Sequence, residues 1–334
     1  MKANTLSTSI VTVTYGSRQN LLRNLLEYVK ENEQVSNIVI VSNGSNLEEL
    51  KLIYNNDKFI FVDLAENTGS ANAYQIGIEK AKTLPSDYVY LLDDDNTPSR
   101  ESLDELFHFY NILSAKTKNI ALLSLREDRK DFLNVSKGNK PSKEFKLGNS
   151  FLGWHLKDIP IKIFRKLKGN KIKDIHSIPY AEVPIAPYGG LFLRKEMLDK
   201  SRLPNSEYYL YCDDYDFTYG LRKDLGARIY LIPSSKVIDM DESWFVKSKD
   251  GFVKSFLTSN NDIRIYYSVR NRVYFEKKDL VTNLPVYYIN RFSLMLILSI
   301  LSKVLRKKER YELLKEAINH GDNEILGKNE LYVY

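Results

Sequence analysis

The chain has 334 residues, 43% hydrophobic and 28% charged, with 49 Lys and Arg against 43 Asp and Glu for a formal net charge of +6. These proportions exclude a disordered or collagen-like chain and suit one large α/β domain with an appendage. A single cysteine, Cys212, excludes an intrachain disulfide and fits a reducing compartment.

No basic-then-apolar leader opens the sequence, so a cytoplasmic location is expected, at most peripheral on the cytoplasmic face of the inner membrane. The first 125 residues then alternate short apolar runs with helical patterns. SIVTVTY (9–15), NIVIVSNG (37–44), KFIFVDLA (58–65), DYVYLLDDD (87–95) and NIALLSL (119–125) read as buried strands. Between them lie amphipathic stretches carrying Leu21 to Val29, Leu47 to Tyr54, Ser70 to Lys82 and Ser99 to Leu113. This is the pattern of βαβ units in a mainly parallel sheet, and ligands of such sheets bind beyond the carboxyl ends of the strands. None of the strand-end turns is a G-x-G-x-x-G or G-x-x-x-x-G-K-[ST] motif, which excludes dinucleotide and P-loop sites of those types.

Residues 126–185 lose the periodicity. From Arg126 to Asp174 they hold fourteen Lys or Arg against six Asp or Glu. Regular structure is expected again at YGGLFLRKEML (188–198), in a helix after Asp213, and at RIYLIPSSKV (228–237). The run FSLMLILSILS (292–302) is eleven residues long between Arg291 and Lys303. A bilayer span needs about 20 apolar residues. An in-plane membrane helix, a core helix and an oligomer interface all remain open for it, and the basic group Lys303, Arg306, Lys307, Lys308 and Arg310 follows. The organisation expected is therefore 1–125 as one half of a catalytic domain, 126–280 as the other half with a basic insertion, and 281–334 as a helical extension.

Two acidic groups carry the chemistry. Asp93, Asp94 and Asp95 repel one another unless a cation compensates, and carboxylates are hard ligands for Mg²⁺ or Mn²⁺. On an extended chain Asp93 and Asp95 share a face while Asp94 points away. A helix cap accounts for one or two of these residues but not three. The second group, CDDYDF, offers Asp213 and Asp214 as a base for an acceptor hydroxyl, with Tyr208, Tyr209 and Tyr211 as stacking surfaces for a sugar. A capped helix start with salt bridges to Arg222 and Lys223 is the plainer alternative.

The segments SIVTVTYGSRQNLLRNL, IVIVSNGS, ENTGSANAYQIGIEKA, YVYLLDDDN, GGLFLRKEML, DDYDFTYGLRKDLGARIYLIPSSKV and YYSVRNRVYF resemble, in order and spacing, glycosyltransferase family 2. The likeness is to its bacterial galactofuranosyltransferase and rhamnosyltransferase-like branch. It runs from Ser9 to Phe275, and more weakly through EAINHGDNEILGK. It implies a GT-A-type fold and inverting, metal-dependent transfer of a hexosyl unit to a glycan hydroxyl in bacterial polysaccharide synthesis. The donor implied is UDP-galactofuranose, ahead of dTDP-rhamnose or a UDP-hexopyranose.

The resemblance implies that Thr14, Tyr15, Arg18 and Asn43 hold base and ribose. Asn67, Gly69, Asp94, Gly189 and Gly190 would lie along the donor. Asp93 and Asp95 would bridge Mn²⁺ or Mg²⁺ to the diphosphate, with Asp214 as base and Asp213 orienting the acceptor. Tyr267, Arg270 and Asn271 match a late element that touches phosphates or braces the fold. The family's Asp-Gly-Ser turn is Asn43-Gly44-Ser45 here, which changes the hydrogen-bond pattern offered to a base. Its metal-binding His is replaced in VIDMDESW, with Asp239 as substitute ligand and Asp241 in reserve. The expected partners are a nucleotide sugar and a glycan acceptor, with a polyprenyl-diphosphate carrier, a peripheral membrane contact and a homo-oligomer left open and no nucleic acid. A haloacid-dehalogenase-type phosphatase is the chief rival, because Asp93 to Thr97 fits D-x-D-x-T. That motif belongs on a first strand, however, not after three βα units. A non-catalytic nucleotide-sugar or glycan-binding subunit is the other.

Overall fold

A computed structural model describes residues 7–160, 178–240 and 251–333. Strands β1 (Thr8–Thr14), β2 (Val35–Asn43), β3 (Phe59–Leu64) and β4 (Tyr88–Leu91) are followed by β5 (Asn96–Pro98), β6 (Ile120–Leu125), β7 (Ala181–Val183), β8 (Leu191–Arg194) and β9 (Arg228–Asp239). They form one sheet in the order β3-β2-β1-β4-β8-β6-β9-β5, with β7 also on β9. Six strands run one way; β5, β7 and β8 run against them. The mixed, mainly parallel α/β architecture expected from the alternation is present.

Strand periodicity sorts the side chains into two layers. Val11, Val39, Val41, Val89 and Leu91 face a core completed by α3 (Ser70–Lys82), α5 (Lys130–Ser136), α7 (Lys195–Lys200) and α8 (Asp213–Leu225). Ile10, Ile38, Ile40, Tyr88 and Tyr90 face the opposite core, under α1 (Gln19–Glu31), α2 (Glu48–Ile53) and α4 (Ser102–Ser114). Each fully buried aliphatic side chain contributes about 1.5–3 kcal/mol, so a one-residue register slip, which would exchange the faces, is heavily penalised. A short helix, α6 (Pro141–Glu144), lies in the stretch read as a loop-rich insertion.

A third core joins α9 (Phe252–Thr258), α10 (Asp262–Phe275), α11 (Leu284–Val304) and α12 (Lys308–Asp322), and includes Phe151, Trp154 and Tyr209. The eleven-residue apolar run, by itself too short to span a bilayer, is the C-terminal half of α11, a helix of 21 residues that is long and apolar enough to cross a membrane by length and composition alone. It begins in a stretch of mixed polarity: the Asn283 side chain caps it, accepting from Val286 N at 3.1 Å, and Pro285 occupies the first turn.

Candidate active site

The strand ends of β1, β2 and β4 meet at one edge of the sheet. The chain does not stay extended through the acidic triplet. Asn96 N donates to Asp93 O at 3.0 Å, closing a turn before β5 begins. The expected alternation of Asp93 and Asp95 about Asp94 therefore does not hold, and each carboxylate finds its own partners. Asp94 is buried, accepts from the Thr14 hydroxyl at 2.7 Å and from Arg18 Nε at 3.0 Å. Asp95 accepts from Arg18 Nη2 at 2.6 Å and from Asn96 Nδ2 at 2.8 Å. Asp93 accepts from the Tyr74 hydroxyl at 2.9 Å and from Arg126 Nη1 at 2.7 Å.

Asp239 joins this group through backbone pairing. β5 lies antiparallel to β9 with Asn96 opposite Asp239, and Met240 N donates to Asp95 O at 2.8 Å. Arg126 bridges the two sides, donating to Asp93 from Nη1 and to Asp239 from Nη2. Asp241, the reserve ligand, lies outside the described residues.

Among the described residues no three His, Cys, Asp or Glu side chains converge closely enough to hold a metal in this arrangement. The charge balance nevertheless favours a cation. Five carboxylates (Asp93, Asp94, Asp95, Asp128 and Asp239) stand against three arginines (Arg18, Arg126 and Arg129). Burial first, then the neighbouring Asp93, Asp239 and Asp94, push Asp95 up to about 7. Hard oxygen donors with uncompensated negative charge fit a divalent cation.

The base candidates lie at the start of α8. Burial pushes Asp214 up to about 7, and Asp213, deeper still, is held well above the carboxylate range by burial and by Asp214. Asp213 and Tyr188 are both buried, and their side chains interact with each other. The preceding turn is strained: Tyr209, Tyr211 and Cys212 all have positive φ, at 61°, 63° and 71°. Asn271 holds it, with Nδ2 donating to the carbonyls of Tyr208, Leu210 and Tyr211 at 2.9, 2.5 and 2.9 Å. Arg270 Nη2 also donates to Tyr208 O, at 3.0 Å, and the guanidinium lies 4.7 Å from the Tyr267 ring centroid. Of the two roles left open for Arg270 and Asn271, the structure shows the brace: both are fully buried.

A single cavity of about 880 Å³ takes in both acidic groups. Of the residues expected to bind donor or metal or to catalyse, Tyr15, Arg18, Asn43, Asn67, Asp93, Asp94, Asp95, Asp213, Asp214 and Asp239 line it. Thr14 does not. It is fully buried, spent on Asp94, and acts behind the site rather than in it. Gly69, Gly189 and Gly190 do not line the cavity either; two of them act by leaving space. A Cβ on Gly69, whose φ is +86°, would sit 2.3 Å from Tyr209 O. On Gly189 it would sit 2.3 Å from Asn96 Oδ1 and 2.6 Å from both Arg126 Nη1 and Asp93 Oδ2. The amide of Asn43 is committed to the neighbouring turn, donating to Asn67 Oδ1 at 3.0 Å and accepting from Thr68 N at 2.8 Å. Tyr208 and Tyr209 are buried, so of the three tyrosines only Tyr211 lines the cavity.

Sequence reasoning missed Tyr74, Arg126, Arg129, Tyr188 and Trp154 in the wall. A signal existed for Arg126. It is the first residue past β6, so the strand-end rule applied to the first four strands would have reached it.

Residues 9–164 match the family model Glycosyl transferase family 2. A poly-beta-1,6-N-acetyl-D-glucosamine synthase of Staphylococcus aureus (strain COL) is 38% identical over 87 residues, 25% of this chain and 20% of that protein. The chain thus spans about a fifth of the length of the curated relatives it matches. Among solved structures, GalNAc-T7 with UDP, GalNAc and Mn²⁺ superposes with a TM-score of 0.53 at 14% identity, over 83% of this chain and 48% of that one. The mannosyltransferase PcManGT of Pyrobaculum calidifontis, in complex with GDP-Man and Mn²⁺, gives 0.51 at 14% identity, over 95% and 75%. The architecture is of the GT-A type these enzymes share.

Proposed function

We propose that this chain, whose residues 9–164 match the model of glycosyl transferase family 2, moves a hexosyl unit from a nucleotide sugar to a glycan hydroxyl with inversion at the anomeric carbon. The observation that carries this reading is the shared cavity, which joins the acidic turn Asp93–Asp95 to the carboxylate pair Asp213–Asp214. A donor diphosphate at the first group and an acceptor hydroxyl at the second would meet within one cavity.

In this reading residues 1–125 form the donor half and 126–280 the acceptor half. Tyr15, Arg18 and Asn67 stand at the strand ends where base and ribose bind. Asp93, Asp95 and Asp239 would hold Mn²⁺ or Mg²⁺, whose chemistry when bound would be to offset charge on a leaving diphosphate. Asp214 takes the proton from the acceptor hydroxyl as that oxygen attacks the anomeric carbon. A carboxylate pushed up to about 7 is a competent base near neutral pH. Asp213 orients the acceptor. Tyr74 fixes Asp93, and Arg18 and Arg126 keep the acidic turn assembled before any donor arrives.

UDP-galactofuranose is the favoured donor, with dTDP-rhamnose and UDP-hexopyranoses as alternatives, and polysaccharide synthesis on the cytoplasmic face of the membrane is the setting. The family match and the synthase relative support the polysaccharide setting; the solved relatives bound to nucleotides and Mn²⁺ support the donor class and a divalent metal. The test is nucleotide release from these donors with Mn²⁺, with Mg²⁺ and with EDTA. Metal-dependent release that Asp214→Asn abolishes, while Mn²⁺-UDP still binds, is the expected result. Phosphate release from phosphomonoesters through Asp93 would instead establish the phosphatase.

A further inference from the structure

Helix α11 is amphipathic in an unusual way. One face, with Tyr287, Asn290, Leu294, Leu298 and Ser302, is buried against the third core. The other presents Ile289, Phe292, Leu296, Ile300 and Val304, exposed by 55, 69, 50, 56 and 72%. Their spacing of three and four residues makes a continuous ridge along a helix about 31 Å long. Singly exposed apolar residues are ordinary on a surface, but a ridge of this length is not. Nor is the helix placed to span a bilayer. Its inner face is packed on protein, and Arg291 Nη1 pairs with Asp322 at 2.6 Å.

Charge says what covers the ridge. α11 contains no Asp or Glu, and Lys303, Arg306, Lys307 and Lys308 stand exposed at its end. A second copy of α11 would bring no carboxylate of its own to meet these cations, and the exposed Glu309 and Glu312 at the start of α12 are outnumbered by the four exposed Lys and Arg. An anionic bilayer answers both features, taking the ridge into the headgroup–acyl boundary and the basic end among phosphates.

We propose that α11 lies in the plane of an anionic phospholipid surface. The docking would also place the active-site cavity, because the wall segment around Trp154 hangs on this helix. Trp154 Nε1 donates to Ser293 Oγ at 2.9 Å, and Leu156 N donates to Asn290 Oδ1 at 2.9 Å. Trp154, His155, Phe252 and Phe256 line the cavity on this side. The helix thus holds one flank of the cavity at the lipid, which suits an acceptor carried on a lipid anchor. That last step rests on the transferase reading; the docking itself does not.

The test is co-sedimentation of the full chain with phosphatidylcholine vesicles, with and without anionic phosphatidylglycerol, in low and high salt. The wild-type chain is expected to pellet with the anionic vesicles and far less with the neutral ones, and to be released by salt. Each basic residue of the terminal group removed should lower partitioning about fivefold. Phe292→Glu with Leu296→Glu should abolish pelleting, while circular dichroism and Mn²⁺-UDP binding stay as in wild type. Equal pelleting with both vesicle types, or full pelleting by the double variant, overturns the proposal. So does a wild-type dimer in light scattering that ignores vesicles and that the double variant splits. Failure of vesicle binding with nucleotide binding intact refutes the docking alone; loss of nucleotide binding in wild type refutes the transferase reading instead.

Discussion

Asn271→Ala tests whether the strained turn before α8 sets the position of the base. In wild type the Asn271 amide donates to three carbonyls, and that of Tyr208 also accepts from Arg270 and from Leu210 N. The substitution removes this donor from all three carbonyls, at about 1–3 kcal/mol for each one left unsatisfied. The three non-glycine residues at positive φ hold about 1–3 kcal/mol of strain apiece. The clamp and the strain it restrains are therefore of similar size, and without the clamp the turn should relax. Asp213 and Asp214 follow that turn directly, and a shift near 1 Å costs on the order of 100-fold in rate.

The assay is steady-state nucleotide release alongside calorimetric binding of Mn²⁺-UDP. The expected result is a kcat reduced about 100-fold, a pH profile displaced from that of wild type, and UDP affinity lowered far less, since the donor-side strand ends lie on other elements and meet the turn only where Gly69 and Ala71 N approach Tyr209 O. Wild-type kcat in a folded Asn271→Ala chain refutes the reasoning. A parallel fall of kcat, UDP affinity and folded fraction would show that Asn271 braces the fold and nothing more.

Asp214→Asn should retain Mn²⁺-UDP binding and lose transfer, and the wild-type rate should rise with pH through about 7 as Asp214 ionises; a flat profile from 5 to 9 would place the base elsewhere. Asp95 and Asp214 have folded values near 7 against 3.8 unfolded, so the folded chain retains protons that the unfolded chain releases. Their contribution to metal-free stability is therefore fully present below about pH 4 and declines as pH rises toward 7. Thermal melts should show Mn²⁺ restoring stability more at pH 7.5 than at pH 5, and Asp95→Ala or Asp239→Ala should abolish that difference. Gly189→Ala puts a methyl group against Asp93, Asn96 and Arg126. It should weaken Mn²⁺-UDP binding about tenfold or more, equivalent to about 1.4 kcal/mol, and unchanged affinity would show that the three side chains have room to move.

The parallel part of the fold was legible because β1 to β4 and β6 are apolar runs bounded by polar turns, a pattern that burial on both faces imposes. β5 and β7, three residues each, carry no periodicity to read. They exist because β9 is long, at twelve residues, and offers them an edge. α11 was foreshortened for a related reason. Its first turns expose Leu284, Val286 and Tyr288 yet bury Tyr287 and Asn290, so its apolar stripe begins inside a stretch that reads as mixed.

At the site, sequence displayed the charges but not their partners, and partners decide roles. Thr14 sits at the strand end where a nucleotide contact is expected, yet its hydroxyl is taken by Asp94, one turn of the sheet edge away and eighty residues distant in sequence. Asp94 in turn is committed to Arg18, so two of the expected donor contacts form a rigid support for the third. Arg126 makes the same point from the other side. It draws Asp93 and Asp239 toward one cation, a link between β4, β6 and β9 that depends on the antiparallel pairing of a three-residue strand. A buried carboxylate cluster survives folding only with such counter-charges in place, because the cost of desolvating uncompensated charges runs to several kcal/mol per ion. The arginines therefore let the acidic turn exist on its own, and the excess of five carboxylates over three cations leaves it net negative, the charge that the proposed transferase reading assigns to a divalent cation.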